Sequence, residues 1–278
     1  MIVDAHHHLW DLRVRDQEWI TGPVLRRNYL VSDLEPLAEE FGVVRTVLVQ
    51  TITAPEETPE FLAIAEESAL IGAVVGWVDL TSPGVGDALE GLKGGFGGRW
   101  LKGVRHQVQG EPDPEWLCRK DVWRGLAAVG KAGLVYDLLT LPHQLPAARR
   151  TVAALPNVRF VVDHCSKPPL ASGELDSWAE MIRSLAAHEN VFCKVSGLVT
   201  EASWDSWTVG DLRRAFEVVL DAFGVERLMF GSDWPVCLLA AGYGDVVGAV
   251  RELVGELSEG EREMVFAGVA GEVYGVLG

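Results

Sequence analysis

Eight short apolar runs, each followed by a stretch with helical periodicity, recur from one end of the chain to the other. The runs are Ile2–His6, Thr46–Gln50, Gly72–Val78, Gly103–Gln107, Leu134–Leu138, Phe160–His164, Val191–Val195 and Leu228–Gly231. They are nearly continuously hydrophobic, as strands of a parallel sheet covered on both faces must be. Helical patterns fill 32–41, 58–69, 84–93, 122–132, 144–154, 175–188, 209–223 and 242–257, and another over 259–274 closes the chain. An uninterrupted βα series predicts an α/β fold of the closed (β/α)8 barrel type, a TIM barrel, rather than an open doubly wound sheet. The chain's 278 residues fit one such domain spanning 1–278, since these barrels run to about 250 residues.

Local signals agree. Ser32 with Glu35, and Ser258 with Glu261, read as capping boxes at helix starts. Gly42, Gly133 and Gly224 stand where helices should end, and the Gly94–Gly98 stretch reads as a turn before the fourth strand. No glycine-rich phosphate fingerprint follows the first strand, which argues against dinucleotide binding.

With 24 basic and 40 acidic side chains the net charge is −16, which excludes a broad nucleic-acid or anionic-membrane surface. Cys118, Cys165, Cys193 and Cys237 lack CxxC spacing, so a zinc ribbon is excluded and reduced core thiols are expected. No apolar stretch reaches the ~20 residues of a membrane helix. An apolar run beginning at Ile2 leaves no room for a signal peptide, so a cytoplasmic protein is expected. Exposed outer helix faces leave room for a homo-oligomer.

The active face of such a barrel lies at the strands' C-terminal ends. Those ends carry His6 and His8, Gln50, Trp77 and Asp79, Arg105, His106 and Gln107, Tyr136 and Asp137, Asp163, His164 and Lys167, Lys194 and Ser196, and Ser232, Asp233 and Trp234. A polar ring of this kind is hard to explain by stability, because an unpaired buried polar group costs about 1–3 kcal/mol. His6 and His8 lie two apart on a strand and so share a face, while His7 points the other way. Two imidazoles on one face with the carboxylate of Asp233 are a minimal kit for holding a metal or activating water.

The ordered motifs VDAHHHLWD, KGVRHQ, VDHCSKP, CKVSGL and MFGSDWPV resemble the amidohydrolase superfamily, in its amidohydrolase-2 branch, and most of all its sugar-lactone hydrolases. The resemblance spans residues 2 to 236. It implies hydrolysis of a small lactone, such as an aldono-1,4-lactone, in carbohydrate metabolism. Asp233 would take a proton from the attacking water, and Arg105, His106, His164 and Lys194 would supply positive or donor groups to the oxyanion. The superfamily's two-metal pattern is absent, because strand four ends in Arg105-His106-Gln107 and strand five in Tyr136-Asp137. One divalent ion such as zinc, held by His6, His8 and Asp233 with or without His164, is one implied arrangement; a metal-free site is the other. A mononuclear zinc-dependent decarboxylase of the same branch is the alternative activity.

For the substrate, Lys167 and Gln50 are candidate polar contacts, and Trp10, Trp77 and Trp234 a candidate apolar wall against a sugar ring. Trp204 and Trp207 lie in the loop after strand seven, where a lid would sit. Asp163, alternating with His164, is expected to pack outward. Asp4 is expected to make a structural hydrogen bond. His188 reads as a solvated helix end and His143 as a loop residue outside the chemistry.

Overall fold

The computed structural model describes residues 1–277. Strands β1 (Ile2–His7), β2 (Val43–Val49), β3 (Ile71–Gly76), β4 (Leu101–His106), β5 (Val135–Leu138), β6 (Arg159–Val162), β7 (Val191–Val195) and β8 (Leu228–Phe230) pair in sequence order. Every pairing is parallel. The first and last strands meet at the seam. Asp233 N–H donates to the His6 carbonyl at 2.8 Å, and His8 N–H to that of Trp234 at 2.7 Å. Helices Val31–Phe41, Glu57–Glu67, Val85–Gly94, Lys120–Lys131, Leu145–Ala154, Asp176–Ala186, Val209–Phe223 and Tyr243–Leu253 follow the strands in turn. This is the expected single-domain (β/α)8 barrel.

The core has two layers. One lies between strands and helices. The other fills the barrel interior with Val3, Ala5, Val47, Val49, Ala73, Val75, Val161 and Met229, and is closed from below by Val269, Ala270, Val273 and Tyr274 of the terminal helix. That helix runs over 259–274 with a π-helical turn at Met264–Gly268. Asp4 joins the seam: it accepts from Ser232 N–H (2.8 Å), Ser232 Oγ (2.6 Å) and Tyr243 (3.0 Å), the structural role expected of it.

Several local expectations are corrected. The first long helix starts one residue early, at Val31, because Asp33 rather than Glu35 reaches back, accepting from Leu30 N–H at 2.8 Å; Ser32 lies inside the first turn. The box at Ser258 and Glu261 forms as expected. β6 stops at Val162 because Asp163–Ser166 form a tight turn. β2 starts at Val43, opposite Ile2. Short helices at Gly22–Leu25 and Leu198–Glu201 carry no strong periodicity and were not foreseen. No helix among the described residues is long and apolar enough to cross a membrane.

Candidate active site

Strand parity alone would not bring His6 and His8 into the barrel. Val3 and Ala5 face the interior, and simple alternation would turn His7 inward. The register against β2 instead advances three residues on β1, Asp4 to His7, for two on its partner, Thr46 to Leu48. This bulge flips the parity. His6 and His8 then point into the mouth, and His7 turns outward to Thr46 Oγ1 at 2.9 Å. Across the seam, Gly231 makes room: a Cβ there would stand 2.8 Å from His6 Cβ.

His164 enters from a turn in which it, Cys165, Ser166 and Lys167 all take left-handed φ, 51–55°. Asp233 is left-handed too, at 57°. Such conformations cost of order 1–3 kcal/mol each for non-glycine residues and gather at functional sites. Gly197 lies against this turn: a Cβ on it would meet His164 Nδ1 at 2.6 Å, and its own φ is +62°.

The result is a convergence on one carboxylate. Asp233 Oδ1 lies 3.5 Å from His8 Nε2, 3.8 Å from His6 Nε2 and 3.8 Å from His164 Nε2. His6 Nε2 and His8 Nε2 are 3.2 Å apart. Partners on the far sides fix the tautomers of His6 and His8. His8 Nδ1 lies 2.8 Å from the Val49 carbonyl, which only accepts, so Nδ1 carries the proton. His6 Nδ1 faces Asp163 Oδ1 at 3.2 Å while Arg105 Nη1 donates toward Nε2 at 3.3 Å, so its proton is also assigned to Nδ1. His164 Nδ1 pairs with Ser196 Oγ at 2.9 Å. Burial pushes the imidazole of His6 well below its usual range and that of His164 down to about 4, keeping both neutral at pH 7. Burial alone would raise the Asp233 carboxyl, but His164, His8 and His6 overcome it and hold it below the ordinary carboxylate range.

Beneath this centre lies a buried charged layer. Asp163 accepts from Arg105 Nη1 at 3.1 Å and from Lys194 Nζ at 3.0 Å. Lys194 also donates to Asp137 Oδ2 at 2.5 Å. Burial opposes its ionisation, but Lys194, His6 and Arg105 hold the Asp163 carboxyl well below the usual range. Two cations thus balance two carboxylates, leaving Asp233 above this layer, facing the imidazoles.

Those donors suit a small divalent cation. Ligand atoms in a tetrahedral shell with bonds of roughly 2.0–2.1 Å stand about 3.4 Å apart, close to the 3.2, 3.5 and 3.8 Å separations among His6, His8 and Asp233. His6, Asp163 and His164 also cluster, but Lys194 and Arg105 already occupy the Asp163 carboxylate.

A cavity of about 750 Å³ opens above, with His8, Arg105, His164 and Asp233 among its lining. Thr51, Gln107, Gln109 and Lys167 give it a polar side, and Trp19, Leu25, Leu139, Trp204 and Leu239 an apolar one. Lys167 pairs with Glu201 at 2.9 Å.

Other candidates lie elsewhere. Lys194 is fully buried below the histidines and does not reach the cavity. His106 is held aside, stacked on Trp116 (centroids 4.3 Å apart), bonded to Glu111 at 2.7 Å and accepting from Trp77 Nε1 at 3.1 Å. Gln50 is spent on Arg105 Nε at 2.9 Å. Trp10 and Trp234 are buried around Tyr29; Trp10 borders a second cavity of about 630 Å³ between helices Val31–Phe41 and Glu57–Glu67. The aromatic wall of the mouth is therefore Trp19 and Trp204. Trp207 is bonded to the Ala240 carbonyl at 2.9 Å. Asp163, expected to face outward, faces the site, because Val161 two residues earlier faces the interior. Trp19 lies in the long connection after β1, where no periodicity marks it.

The sequence profile described as Amidohydrolase matches residues 3–276. The chain is 39% identical to an L-fucono-1,5-lactonase of Burkholderia multivorans over 98% of this chain and 95% of that protein. It is 38% identical to an L-fucono-1,5-lactonase of Burkholderia ambifaria over 87% and 83%. It superposes on the crystal structure of an amidohydrolase from Burkholderia multivorans with bound zinc, with a TM-score of 0.92 at 38% identity over 99% of both chains.

Proposed function

The chain belongs to the amidohydrolase family and is a lactonase within it, and from this premise we propose that it opens a sugar 1,5-lactone of the L-fucono kind, with Asp233 as general base. The observation that carries the reading is the convergence of His6, His8 and His164 on Asp233 at a cavity of about 750 Å³. A sugar-sized ring fits such a space, with hydroxyls toward Gln107, Gln109 and Lys167 and its apolar edge toward Trp19 and Trp204. The sequence resemblance pointed to a 1,4-lactone; the relatives' named substrate moves the proposal to the six-membered ring.

Water attacks the lactone carbonyl carbon. Asp233 takes its proton as the carbon–oxygen bond forms, a role that suits an ionised carboxylate beside the cavity. Negative charge gathers on the carbonyl oxygen, where Arg105 and the imidazole of His164 are the donors within the lining. Collapse breaks the ring C–O bond, and the proton returns from Asp233 to the departing alkoxide. No amine must be expelled, so the barrier is lower than for an amide. If a divalent ion such as zinc is bound, His6, His8 and Asp233 hold it, and it supplies Lewis-acid polarisation and a more acidic water.

The test is a pH-indicator assay of purified protein on L-sugar 1,5- and 1,4-lactones, with and without a strong chelator. Acid release on a 1,5-lactone supports the reading, and chelator sensitivity reports whether the ion is needed. Release on 1,4-lactones alone overturns the ring-size proposal. Silence with carbon dioxide released from a hydroxybenzoate overturns lactone hydrolysis in favour of decarboxylation.

A further inference from the structure

Tyr274 lies in the last helical turn, on the opposite side of the barrel from the cavity. Its hydroxyl is nevertheless inside the barrel, donating to Asp137 Oδ1 at 2.7 Å. Asp137 uses its other oxygen for Lys194 Nζ, at 2.5 Å. Lys194 passes the contact to Asp163 Oδ1 at 3.0 Å, and the same oxygen lies 3.2 Å from His6 Nδ1. Every member of this chain is buried, and each is held from the next by a charged or charge-assisted hydrogen bond. The terminal helix is thus wired to the imidazole that faces Asp233.

We infer that Tyr274 is a positioning residue for the hydrolysis: through Asp137 and Lys194 it fixes Asp163, and so keeps the His6 proton on Nδ1 and its Nε2 lone pair toward Asp233. The tautomer could go either way without that constraint. Lys194 Nζ lies 3.2 Å from His6 Nδ1. An ammonium free to turn from Asp137 would donate to Nδ1 and move the imidazole proton to Nε2, against Arg105. Tyr274 and Asp137 hold the ammonium in its place between two carboxylates. Lys194 also lies over the Tyr274 ring, 5.3 Å from its centroid, so ring and hydroxyl act on the same cation.

This inference rests on the proposed lactonase reading for its kinetic arm only. The test compares Tyr274→Phe, which removes the hydroxyl alone, with Val273→Ala, which loosens the same helix and leaves the hydroxyl. On the substrate of the wild type, Tyr274→Phe should lower kcat about tenfold with KM within about twofold, since outer-shell partners of this kind are worth 10–100-fold. Val273→Ala should lower only Tm. The second arm is the ¹⁵N imidazole spectrum of metal-free protein, which needs no substrate. His6 should show protonated Nδ1 in the wild type and in Val273→Ala, and a shift toward Nε2 protonation in Tyr274→Phe. Unchanged kcat and an unchanged His6 signal in Tyr274→Phe overturn the inference, whereas a wild type inactive on lactones with the predicted spectral shift overturns only the substrate reading. Should Tyr274→Phe not fold, Asp137→Asn is read by the same two measurements with the same expected and overturning results.

Discussion

His8 donates its Nδ1 proton to the Val49 carbonyl and turns its bare Nε2 to Asp233, 3.5 Å away. A carbonyl oxygen can only accept, so this ring cannot offer a proton to the carboxylate without becoming charged. Asp233 thus gains no proton from this ring and is free to receive one from water. Asp233→Asn should lower kcat by about 10²–10⁴-fold, the span of general-base contributions. Its thermal melt should stay cooperative. Near-full turnover in Asp233→Asn would remove Asp233 from the proton transfer.

Cation binding follows from the same lone pairs. Titration of metal-free protein with zinc in a calorimeter should give one site, which His8→Gln and Asp233→Asn abolish. Because binding favours the folded state in proportion to RT ln(1 + [L]/Kd), zinc at about 100 times Kd should add ~2.7 kcal/mol of stability to the wild type. Equal zinc binding by wild type and His8→Gln would place the ion elsewhere.

The charged layer predicts a stability effect separate from chemistry. Lys194→Met strips the cation shared by Asp137 and Asp163, both fully buried. Removing one partner of a buried ion pair typically costs about 3–5 kcal/mol. Urea denaturation should show a loss of that order. A loss under about 1 kcal/mol would mean that the two carboxylates do not rely on the ammonium.

His106 gives a pH dependence whose sign can be worked out. Burial depresses its pKa below the ordinary 6.5, with Glu111 pulling the other way. The folded state thus prefers the neutral ring, which accepts from Trp77 at Nδ1 and donates to Glu111 from Nε2. Its contribution is present above pH 6.5 and is lost as pH falls through the folded value. Relative to His106→Gln, the wild type should therefore lose Tm faster between pH 7 and pH 5. Parallel Tm curves would sink this account.

Trp204 is the more exposed of the two residues of the mouth's aromatic wall, at 48% against 38% for Trp19. Trp204→Ala should raise KM about three- to tenfold and change kcat by less than about twofold, as loss of a contact made equally in ground and transition states does. A drop in kcat alone would argue for a lid that gates the chemistry.

The fold was legible because its signal is redundant: the apolar runs repeat and the strand order follows the chain. The clustering of His6, His8 and Asp233 was legible because HxH and the eighth-strand aspartate are local signals. What escaped the sequence depends on parity and on packing. The bulge in β1 has no residue signature, so His6 and His8 were paired correctly although simple alternation from Val3 would have faced them away. Asp163 faces inward because Val161, two residues before it, does, and an outward Asp163 is incompatible with that alternation. Trp10 and Trp234 carry the same composition cue as Trp19 and Trp204, and only their packing around Tyr29 separates wall from core.

The seam between β1 and β8 has a consequence for synthesis. Two of the site's three imidazoles come from the first strand and its end, the third is His164, and the carboxylate is residue 233, so the centre exists only when the two ends of the barrel have met. On a ribosome, the histidines of β1 must wait in an incomplete sheet, with β1 a bare edge, until β8 and Asp233 have emerged. The same long wait protects the cell from a half-made hydrolase, since no nascent fragment that stops before β8 can contain both proton acceptor and imidazoles.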